Sequence, residues 1–379
     1  MAVKKEIKNG IKFVYLRGRT PYEIGFQHGE ILKDEISLLI KDFLEYSRKR
    51  YGLIPTQFFN HLLIIYSMLI KRTISDEILE EMKGISDASG QPLKWLLFTY
   101  IIYEIGIRFQ GFLSGCSAFM TMLSGSNTIL FAKTTDFSSP EGLSNVLAKH
   151  KTMFVYDCKW LEHKFLIPSF PLCLVGDSII FDNGVIIGFN DGGKFIKSTN
   201  FKNERIVKIQ RDLTKGEITS DSIKEKLLKS KPIKPFTALI SDGSKNGSYL
   251  LDLSPKEKYV KNLEENLINT NFLATEEMRT KIYKDNYMQD IHTKASFIRY
   301  DNIKDCIDDE VIDINEVEKI LAIHTKDNDI DKGSIANMGT VHAFICVPEQ
   351  KKLFIANGNK PPVNLNSEWV IFSFEELFQ

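Results

Sequence analysis

The residues best suited to chemistry lie between 115 and 136. Gly115-Cys116-Ser117 stands where a helix-like sequence pattern gives way to a strand-like one. A thiol is a nucleophile, and a preceding glycine can adopt backbone conformations that help the next side chain attack a peptide carbonyl. Asp136 follows 20 residues later, at the end of a predicted hairpin that returns it near Cys116. The alternatives are a buried structural cysteine and an aspartate that caps a strand end.

The 115 residues before this site predict mostly helices. Thr20-Pro21-Tyr22-Glu23 combines a capping box with proline at the first helical position, which is typical of a helix start. Apolar residues recur at helical spacing through residues 24–44. Further helices are predicted over residues 56–71, 75–89 and 92–107.

Alternating, strand-like segments dominate after residue 115. Ser124-Gly125-Ser126-Asn127 predicts the turn of a hairpin between residues 117–123 and 128–134. Helices are predicted at 220–230 and within 275–322, among further strands at 153–157, 184–190, 238–241, 249–253, 266–270, 340–347, 352–356 and 369–374. Helices first, then strands with interspersed helices, indicate an α+β fold.

Composition excludes several classes of protein. The chain of 379 residues has 49 basic and 49 acidic residues, so it lacks the positive charge of a nucleic-acid binder. It has no glycine-rich phosphate loop and no Cys-x-x-Cys pair, and its longest uncharged apolar runs are too short to span a membrane. The N-terminus has no signal-peptide pattern. We therefore expect a cytoplasmic protein with reduced cysteines, no membrane span, no cofactor and no metal, and the oligomeric state stays open.

Several motifs together resemble the acyl-CoA:isopenicillin N acyltransferase family, a choloylglycine-hydrolase-like group of N-terminal-nucleophile (Ntn) hydrolases. The similarity extends along the whole chain, and the order and spacing of the motifs carry it. The matching segments are Arg17–Gly25, Gln27-His28-Gly29, Glu81–Gly90, Gly115–Phe119, Thr135-Asp136-Phe137, Gly184–Asn190, Ile268–Phe272 and Ser296-Phe297-Ile298-Arg299.

The resemblance implies a four-layer αββα sandwich with a mostly helical N-terminal segment. It also implies self-cleavage between Gly115 and Cys116, which would divide the chain into residues 1–115 and 116–379. The new α-amine of Cys116 would accept the thiol proton, and Asp136 would orient that amine. Asn190 and Asn271 would donate to the oxyanion. Arg299 would brace Asp136 or bind a substrate carboxylate, and an exposed helical arginine is the alternative for it.

Two positions depart from the family pattern. Lys133 stands where relatives that hydrolyse bile salts have arginine, and lysine lacks the planar fork of a guanidinium. Phe272 replaces a histidine that follows the second asparagine. Lys133 and Thr135, two residues further along, are therefore secondary site candidates.

The predicted reaction is hydrolysis of a linear, non-peptide amide through an acyl-thioester on Cys116, with a small-molecule amide or acyl-thioester as substrate. Transfer of the acyl group to an amine is the first alternative. A papain-like Cys–His hydrolase and a non-catalytic binding protein are the others, although the histidines have no diagnostic context: His28, His61, His150, His163, His292, His324 and His342. Aromatic residues before the nucleophile are candidates for an acyl pocket or for plain core: Trp95, Phe98, Tyr100, Tyr103, Phe109 and Phe112.

Overall fold

A computed structural model describes residues 3–51, 74–105, 113–138, 142–193, 200, 202–283, 287–309, 312–325 and 333–379. The predicted helix 56–71 lies outside these residues. So do His61, Phe109 and Phe112, together with the side chains of Tyr103 and His292.

The helices begin and end close to the predicted positions where both can be compared. They are α1 (Pro21–Ile31), α2 (Lys33–Tyr51), α3 (Asp76–Ser89), α4 (Leu93–Ile105), α5 (Leu143–His150), α6 (Ile206–Leu213), α7 (Ser220–Lys229), α8 (Glu276–Ile282), α9 (Ile291–Asp309), α10 (Ile314–Leu321) and α11 (Phe374–Leu377), with a 3₁₀ turn at Tyr287–Gln289. The predicted N-cap of α1 is confirmed, because the Thr20 side chain accepts a hydrogen bond from the Glu23 backbone N–H. The reciprocal half of the predicted capping box differs, because the Glu23 carboxylate accepts from the Arg19 N–H at 2.7 Å.

The strands belong to two sheets. They are β1 (Lys4–Lys8), β2 (Ile11–Gly18), β3 (Leu113–Ser114), β4 (Ser117–Met122), β5 (Ile129–Ser138), β6 (Thr152–Cys158), β7 (Phe165–Ser169), β8 (Ser178–Phe181), β9 (Ile186–Asp191), β10 (Phe236–Ser241), β11 (Tyr249–Leu253), β12 (Lys258–Asn262), β13 (Leu267–Asn269), β14 (Thr340–Val347), β15 (Lys352–Ala356) and β16 (Trp369–Ser373). Within the described residues, one sheet has nine strands in the order β1-β2-β6-β7-β8-β9-β10-β11-β12. The other runs β13-β4-β5-β14-β15-β16, with β3 paired to β5. Only β2 and β6 pair in parallel among these strands.

The two sheets stack face to face, because alternate side chains along each strand point into the space between them. Phe13 and Tyr15 of β2 join a core shared with Phe131 and Phe344 of the other sheet. Between them, Val14 packs instead into a core with helices α1 to α7. The opposite face of the second sheet packs against α9 and α10. Because successive strand residues point to opposite faces, these three cores define four layers, α-β-β-α. The predicted α+β class and layer order are confirmed.

The described part of the N-terminal segment is mostly helical as predicted, with helices α1 to α4, but it begins with two strands that were not predicted. β1 pairs with β2, and β2 runs parallel to β6 in the nine-stranded sheet. The charged sequence Lys-Lys-Glu-Ile-Lys of β1 hides the strand pattern, since an edge strand that faces water needs few apolar residues. Residues before position 115 therefore form part of the nine-stranded sheet.

Helices α1 and α3 cross at very close range. A Cβ atom on Gly25 would lie 1.9 Å from the carbonyl oxygen of Glu81, and one on Gly84 would lie 2.3 Å from that of Tyr22. Real atoms cannot approach so closely, so only glycine allows this crossing. Helix packing therefore explains Gly25 and Gly84, which lie in the motif segments Arg17–Gly25 and Glu81–Gly90.

A buried ion pair joins α3 to α6. Arg211 Nη2 lies 2.6 Å from Glu81 Oε2, and both side chains are almost fully buried. Burial raises the pKa of Glu81 to about 7, against the charge of Arg211, which favours the carboxylate. This pair ties the helices before residue 115 to the part of the chain that follows it.

Candidate active site

The hairpin predicted around Ser124–Asn127 brings Asp136 back to Cys116. Strands β4 and β5 pair in antiparallel register with Ser117 opposite Thr134. The backbone N–H of Asp136 donates to Cys116 Sγ at 3.5 Å, and the Gly115 N–H donates to the Asp136 carbonyl at 3.2 Å. The two predicted residues therefore meet through backbone contacts at the start of β4.

Gly115 and Cys116 face different surroundings. The Cys116 side chain lines an apolar cavity and is 6% exposed. A Cβ atom on Gly115 would instead lie 3.4 Å from Asp136 Oδ2 and from Arg299 Nη1. Gly115 does not have a positive φ. Its backbone conformation therefore does not depend on the special freedom of glycine that the sequence led us to expect.

Asp136 is buried on the face of β5 that looks toward α9. Its Oδ2 accepts hydrogen bonds from Asn337 Nδ2 at 2.9 Å and from Thr134 Oγ1 at 3.4 Å. Its Oδ1 is also buried and has no hydrogen-bond partner among the described residues. Burial raises the pKa of Asp136 to about 6, while the charge of Arg299 opposes that rise. The site therefore holds a carboxylate with one acceptor oxygen still available.

Arg299 is among the largest fully buried side chains of the described residues, at 1% exposure. Its Nη1 lies 3.7 Å from Asp136 Oδ2 and donates to the Cys116 carbonyl at 3.3 Å. Its Nη2 donates to Asn271 Oδ1 at 3.3 Å and to Ser296 Oγ at 3.0 Å. Of the sequence-based options for Arg299, this geometry favours bracing of Asp136, and the exposed-arginine alternative is wrong.

Lys133 is buried on the opposite face of β5, between the two sheets. Its Nζ donates to Asn190 Oδ1 at 2.6 Å and to the Phe189 carbonyl at 3.1 Å. It also forms an ion pair with Asp177 Oδ2 at 3.2 Å. Thr135 donates to the same Asp177 oxygen. The two secondary candidates thus meet at Asp177, and Lys133 fixes the orientation of the Asn190 amide because an ammonium can only donate.

The two predicted asparagines occupy different positions. Asn190 lines the cavity, and its Nδ2 contacts the backbone carbonyl and the Oδ1 of Asn269 at 3.0 and 2.7 Å. Asn271 has a left-handed backbone, with φ of 70°, and its Oδ1 faces Arg299. Asn190 is one of the described residues that line the cavity, whereas Asn271 is not.

The cavity beside Cys116 has a volume of about 210 Å³ and a mostly apolar wall. Helix α2 supplies Leu39 and Phe43, and α4 supplies Trp95 and Phe98. Of the aromatic residues before the nucleophile, Trp95 and Phe98 therefore line this cavity. Tyr100 instead lines a small adjoining pocket. The N-terminal segment thus builds one wall of the cavity that holds the thiol.

The described histidines provide no general base within reach of the thiol. His28 is buried under α1, and its Nε2 is 2.6 Å from the Pro171 carbonyl. His342 also lines the cavity, opposite Thr135 in the β5–β14 register. Extending the β4–β5 register by one residue places Cys116 opposite Thr135 on its other side. Two strand spacings, about 10 Å, therefore separate Cys116 from His342, which argues against a papain-like pair.

Burial raises the pKa of the Cys116 thiol to about 12. The positive charge of Lys133 opposes this rise, whereas the charges of Asp177 and Asp136 add to it. The thiol is therefore neutral at pH 7 in the intact chain and needs a proton acceptor before it can react.

Sequence reasoning missed Asp177, Asn269 and Asn337, which complete the polar network around the cavity. Asn269 lies in the same motif as Asn271, and strand alternation alone could not decide which of them meets Asn190. Asp177 had an indirect signal, since a lysine in a buried strand requires a carboxylate partner. Asn337 approaches Asp136 from 201 residues away, and no local pattern announces such a contact.

No group of three or more metal-ligating side chains occurs in the part of the chain that the structure describes. None of the described helices combines the length and apolar character that crossing a membrane demands.

Comparisons with known proteins give distant similarities. No protein-family model matches the sequence. Protein dcd1B of Dictyostelium discoideum is 24% identical over 165 residues, which cover 39% of this chain and 31% of that protein. The chain thus matches less than a third of the length of that relative.

Solved structures that are similar in three dimensions include an amidase and a hydrolase. An N-acylethanolamine-hydrolyzing acid amidase ortholog from Caenorhabditis elegans has 14% identity and a TM-score of 0.45, covering 62% of this chain and 93% of that one. Two variants of conjugated bile acid hydrolase from Clostridium perfringens have 10% identity and TM-scores of 0.41 and 0.40, each covering 69% of this chain and 92% and 93% of theirs.

Proposed function

We propose that this chain is a self-processing cysteine hydrolase that cleaves linear amides with Cys116 as its nucleophile. The position of the Gly115–Cys116 peptide carries the proposal. On one side of it the thiol lines an apolar cavity, and on the other side Gly115 packs against Asp136 and Arg299. A peptide bond between a buried thiol and a buried carboxylate–guanidinium pair is well placed for attack and for charge stabilisation.

The first reaction is self-cleavage into residues 1–115 and 116–379. Sγ of Cys116 attacks the Gly115 carbonyl carbon, and the C–N bond breaks as the amide nitrogen takes up a proton and becomes the α-amine of Cys116. Water then hydrolyses the thioester, which leaves a carboxylate on Gly115 and frees the thiol. The product amine carries a positive charge when protonated, and the unpartnered Oδ1 of Asp136 supports a role in binding it.

The second reaction is turnover. The α-amine accepts the proton of the Cys116 thiol, and the thiolate attacks the carbonyl carbon of the substrate amide. The proton passes to the leaving amine as the C–N bond breaks, and water hydrolyses the acyl-thioester. Asn190 lines the cavity, and it would donate to the oxyanion from Nδ2 in exchange for one of the two hydrogen bonds that Nδ2 makes to Asn269. Asn271 would act through Arg299 and hold the backbone of Cys116 in place.

The cavity indicates the acyl part of the substrate. A volume of about 210 Å³ with walls from α2, α4 and α5 fits an apolar acyl group whose carbonyl lies at Cys116. We propose a small-molecule N-acyl amide as substrate, with hydrolysis favoured over acyl transfer to an amine.

Intact mass spectrometry of the purified chain tests the self-cleavage. In proportion to its 43.4 kDa, cleavage after Gly115 gives fragments of about 13 and about 30 kDa, and the larger one should begin with Cys116. Cys116→Ala should leave one full-length mass and no turnover, whereas Cys346→Ala, a buried cysteine of the inter-sheet core, should be processed normally. An active enzyme that retains one full-length mass contradicts the proposal.

A panel of N-acyl amides tests the chemistry. With a good substrate, brief mixing and acid quench should trap the acyl group on the fragment that begins at Cys116. Offering water alone or a series of amines then separates the two fates of the thioester. New amide formed faster than free acid would replace hydrolysis by acyl transfer, and the lack of an adduct with every hydrolysed substrate would exclude the thioester.

A further inference from the structure

His342 is a polar residue in an otherwise apolar wall of the cavity. Its side chain is 2% exposed and lines the cavity about two strand spacings, about 10 Å, from Cys116. Neither ring nitrogen has a hydrogen-bond partner among the described residues. The Phe170 ring stands beside the imidazole, with 5.4 Å between the ring centroids. A buried imidazole without partners costs free energy, and so it calls for an explanation.

The surroundings determine which form of the ring faces the cavity. Burial and the charge of Lys151 lower the pKa of His342 to about 3, so the imidazole is neutral at physiological pH. The backbone carbonyl of Ser169 acts on the ring in the direction that favours a proton, although its geometry falls short of a hydrogen bond. A carbonyl can only accept, so it favours the tautomer that keeps the proton on the nearer nitrogen. The second nitrogen is then an acceptor without a donor.

We propose that His342 is a specificity residue that accepts a hydrogen bond from a hydroxyl group on the acyl chain of the substrate. This inference rests on the proposed function, because it assumes that the acyl group occupies the cavity from Cys116 toward His342. An acyl-chain hydroxyl supplies the missing donor, whereas a ketone supplies only another acceptor and a methylene supplies neither. The hydroxyl belongs well inside the chain, about 10 Å from the thioester carbon, by the strand spacing.

Equilibrium binding of carboxylic acids tests this without any turnover. Three acids of equal length are compared by calorimetry: one with a mid-chain hydroxyl, one with a ketone at the same carbon, and one unsubstituted. The purified wild-type protein should bind the hydroxy acid about fivefold more tightly than the other two, the size expected for one neutral hydrogen bond. His342→Phe should bind all three acids alike, and His342→Gln, which keeps an acceptor oxygen, should retain part of the preference.

Two results would overturn the inference. Equal binding of the three acids by the wild-type protein would do so, as would an undiminished hydroxy preference in His342→Phe with a native circular dichroism spectrum. If His342→Phe does not fold, His342→Leu and His342→Gln provide the same comparison. Binding without any amide hydrolysis would reject the proposed reaction and leave the role of His342 standing, whereas hydrolysis without any hydroxy preference would do the reverse.

Discussion

At Cys116, burial and the charge of Lys133 act on the pKa of the thiol in opposite directions. Burial raises its pKa to about 12 and Lys133 lowers it, so burial dominates. At pH 7 such a thiol is ionised in about one molecule in 100,000, which is too few for efficient attack without a base. The nearest imidazole of the described residues that line the cavity is two strands away. Self-cleavage precedes this base and occurs once per chain, so a slow attack suffices for it, and the amide nitrogen of Cys116 takes up the proton. The amine that self-cleavage creates on Cys116, with an ordinary pKa near 8, would supply a base at the shortest distance for every later turnover.

Asp136 provides a pH test at the same scale. Its pKa of about 6 lies above the ordinary value of 3.8, so its carboxylate is lost as the pH falls through about 6. We expect self-cleavage of freshly refolded chain to slow below pH 6, measured by the appearance of the two fragments between pH 4 and 9.

Protonation of Asp136 should slow self-cleavage but stabilise the folded state. Its folded pKa is raised, so the folded state binds this proton more tightly than the unfolded state, and protonation between pH 6 and 4 favours folding at this residue. Cleavage should therefore slow while the circular dichroism spectrum stays native. Asp136→Asn, which carries no titrating carboxyl, is the control and should cleave poorly at every pH. A rate that is constant from pH 8 to 4.5 would contradict this role.

At the scale of the elements, Lys133 connects β5, β9 and the segment that enters β8. It holds the Asn190 amide from β9 and pairs with Asp177 just before β8, so three segments meet at one ammonium group. Removing one member of a buried ion pair leaves the other charge uncompensated, which costs more than the pair itself contributes.

Lys133→Met should therefore lower the free energy of unfolding by about 3 kcal/mol or more. The double variant Lys133→Met/Asp177→Asn should recover part of that loss, because no unpaired charge remains. Urea denaturation measures both. Since Asn190 loses its orienting donor in either variant, kcat should fall more than KM rises, and a change in KM alone would argue against positioning of Asn190.

The close crossing of α1 and α3 makes a second prediction at this scale. Gly25→Ala places a methyl group where the Glu81 carbonyl already lies, so the helices must separate, and we expect a loss of about 1–3 kcal/mol or more. Thermal unfolding measures the change. Lys83→Ala, an exposed position on α3, is the control and should stay within about 0.5 kcal/mol of wild type. A Gly25→Ala protein as stable as this control would contradict the crossing.

Elements with local signals could be predicted from the sequence, and contacts between distant segments could not. The β4–β5 hairpin was predictable because its turn residues and alternation lie within about 20 residues. The same hairpin placed Asp136 beside Cys116. β7 and β8 were missed because β7 contains a proline, which is unfavourable in a strand, and β8 has only four residues. Asn337, Asp177 and the partners of Arg299 depend on tertiary packing of segments far apart in sequence.

At the scale of the whole molecule, the proposed cleavage point lies between two parts that are structurally interwoven. β2 pairs with β6 inside the nine-stranded sheet, and Glu81 pairs with Arg211 across the same boundary. Under the proposed cleavage, residues 1–115 would therefore remain a structural part of the enzyme.

We expect the two fragments to remain one particle after cleavage. Gel filtration in native buffer should give a single peak that contains both masses, and the fragments should separate only in denaturant. Cys116→Ala, uncleaved, is the control for the size of that particle. Loss of the 13 kDa fragment from an enzyme that is still active would show that the cavity wall from α2 and α4 is dispensable.

The pairing of β2 with β6 also bears on refolding. Before cleavage, that parallel pair forms within one chain, and its cost is the closure of a loop. After cleavage the same pair joins two molecules, so refolding becomes a second-order reaction whose yield depends on protein concentration. Self-processing would thus make folding effectively irreversible. A cleaved enzyme denatured at nanomolar concentration should not recover its activity, whereas the uncleaved variant should refold.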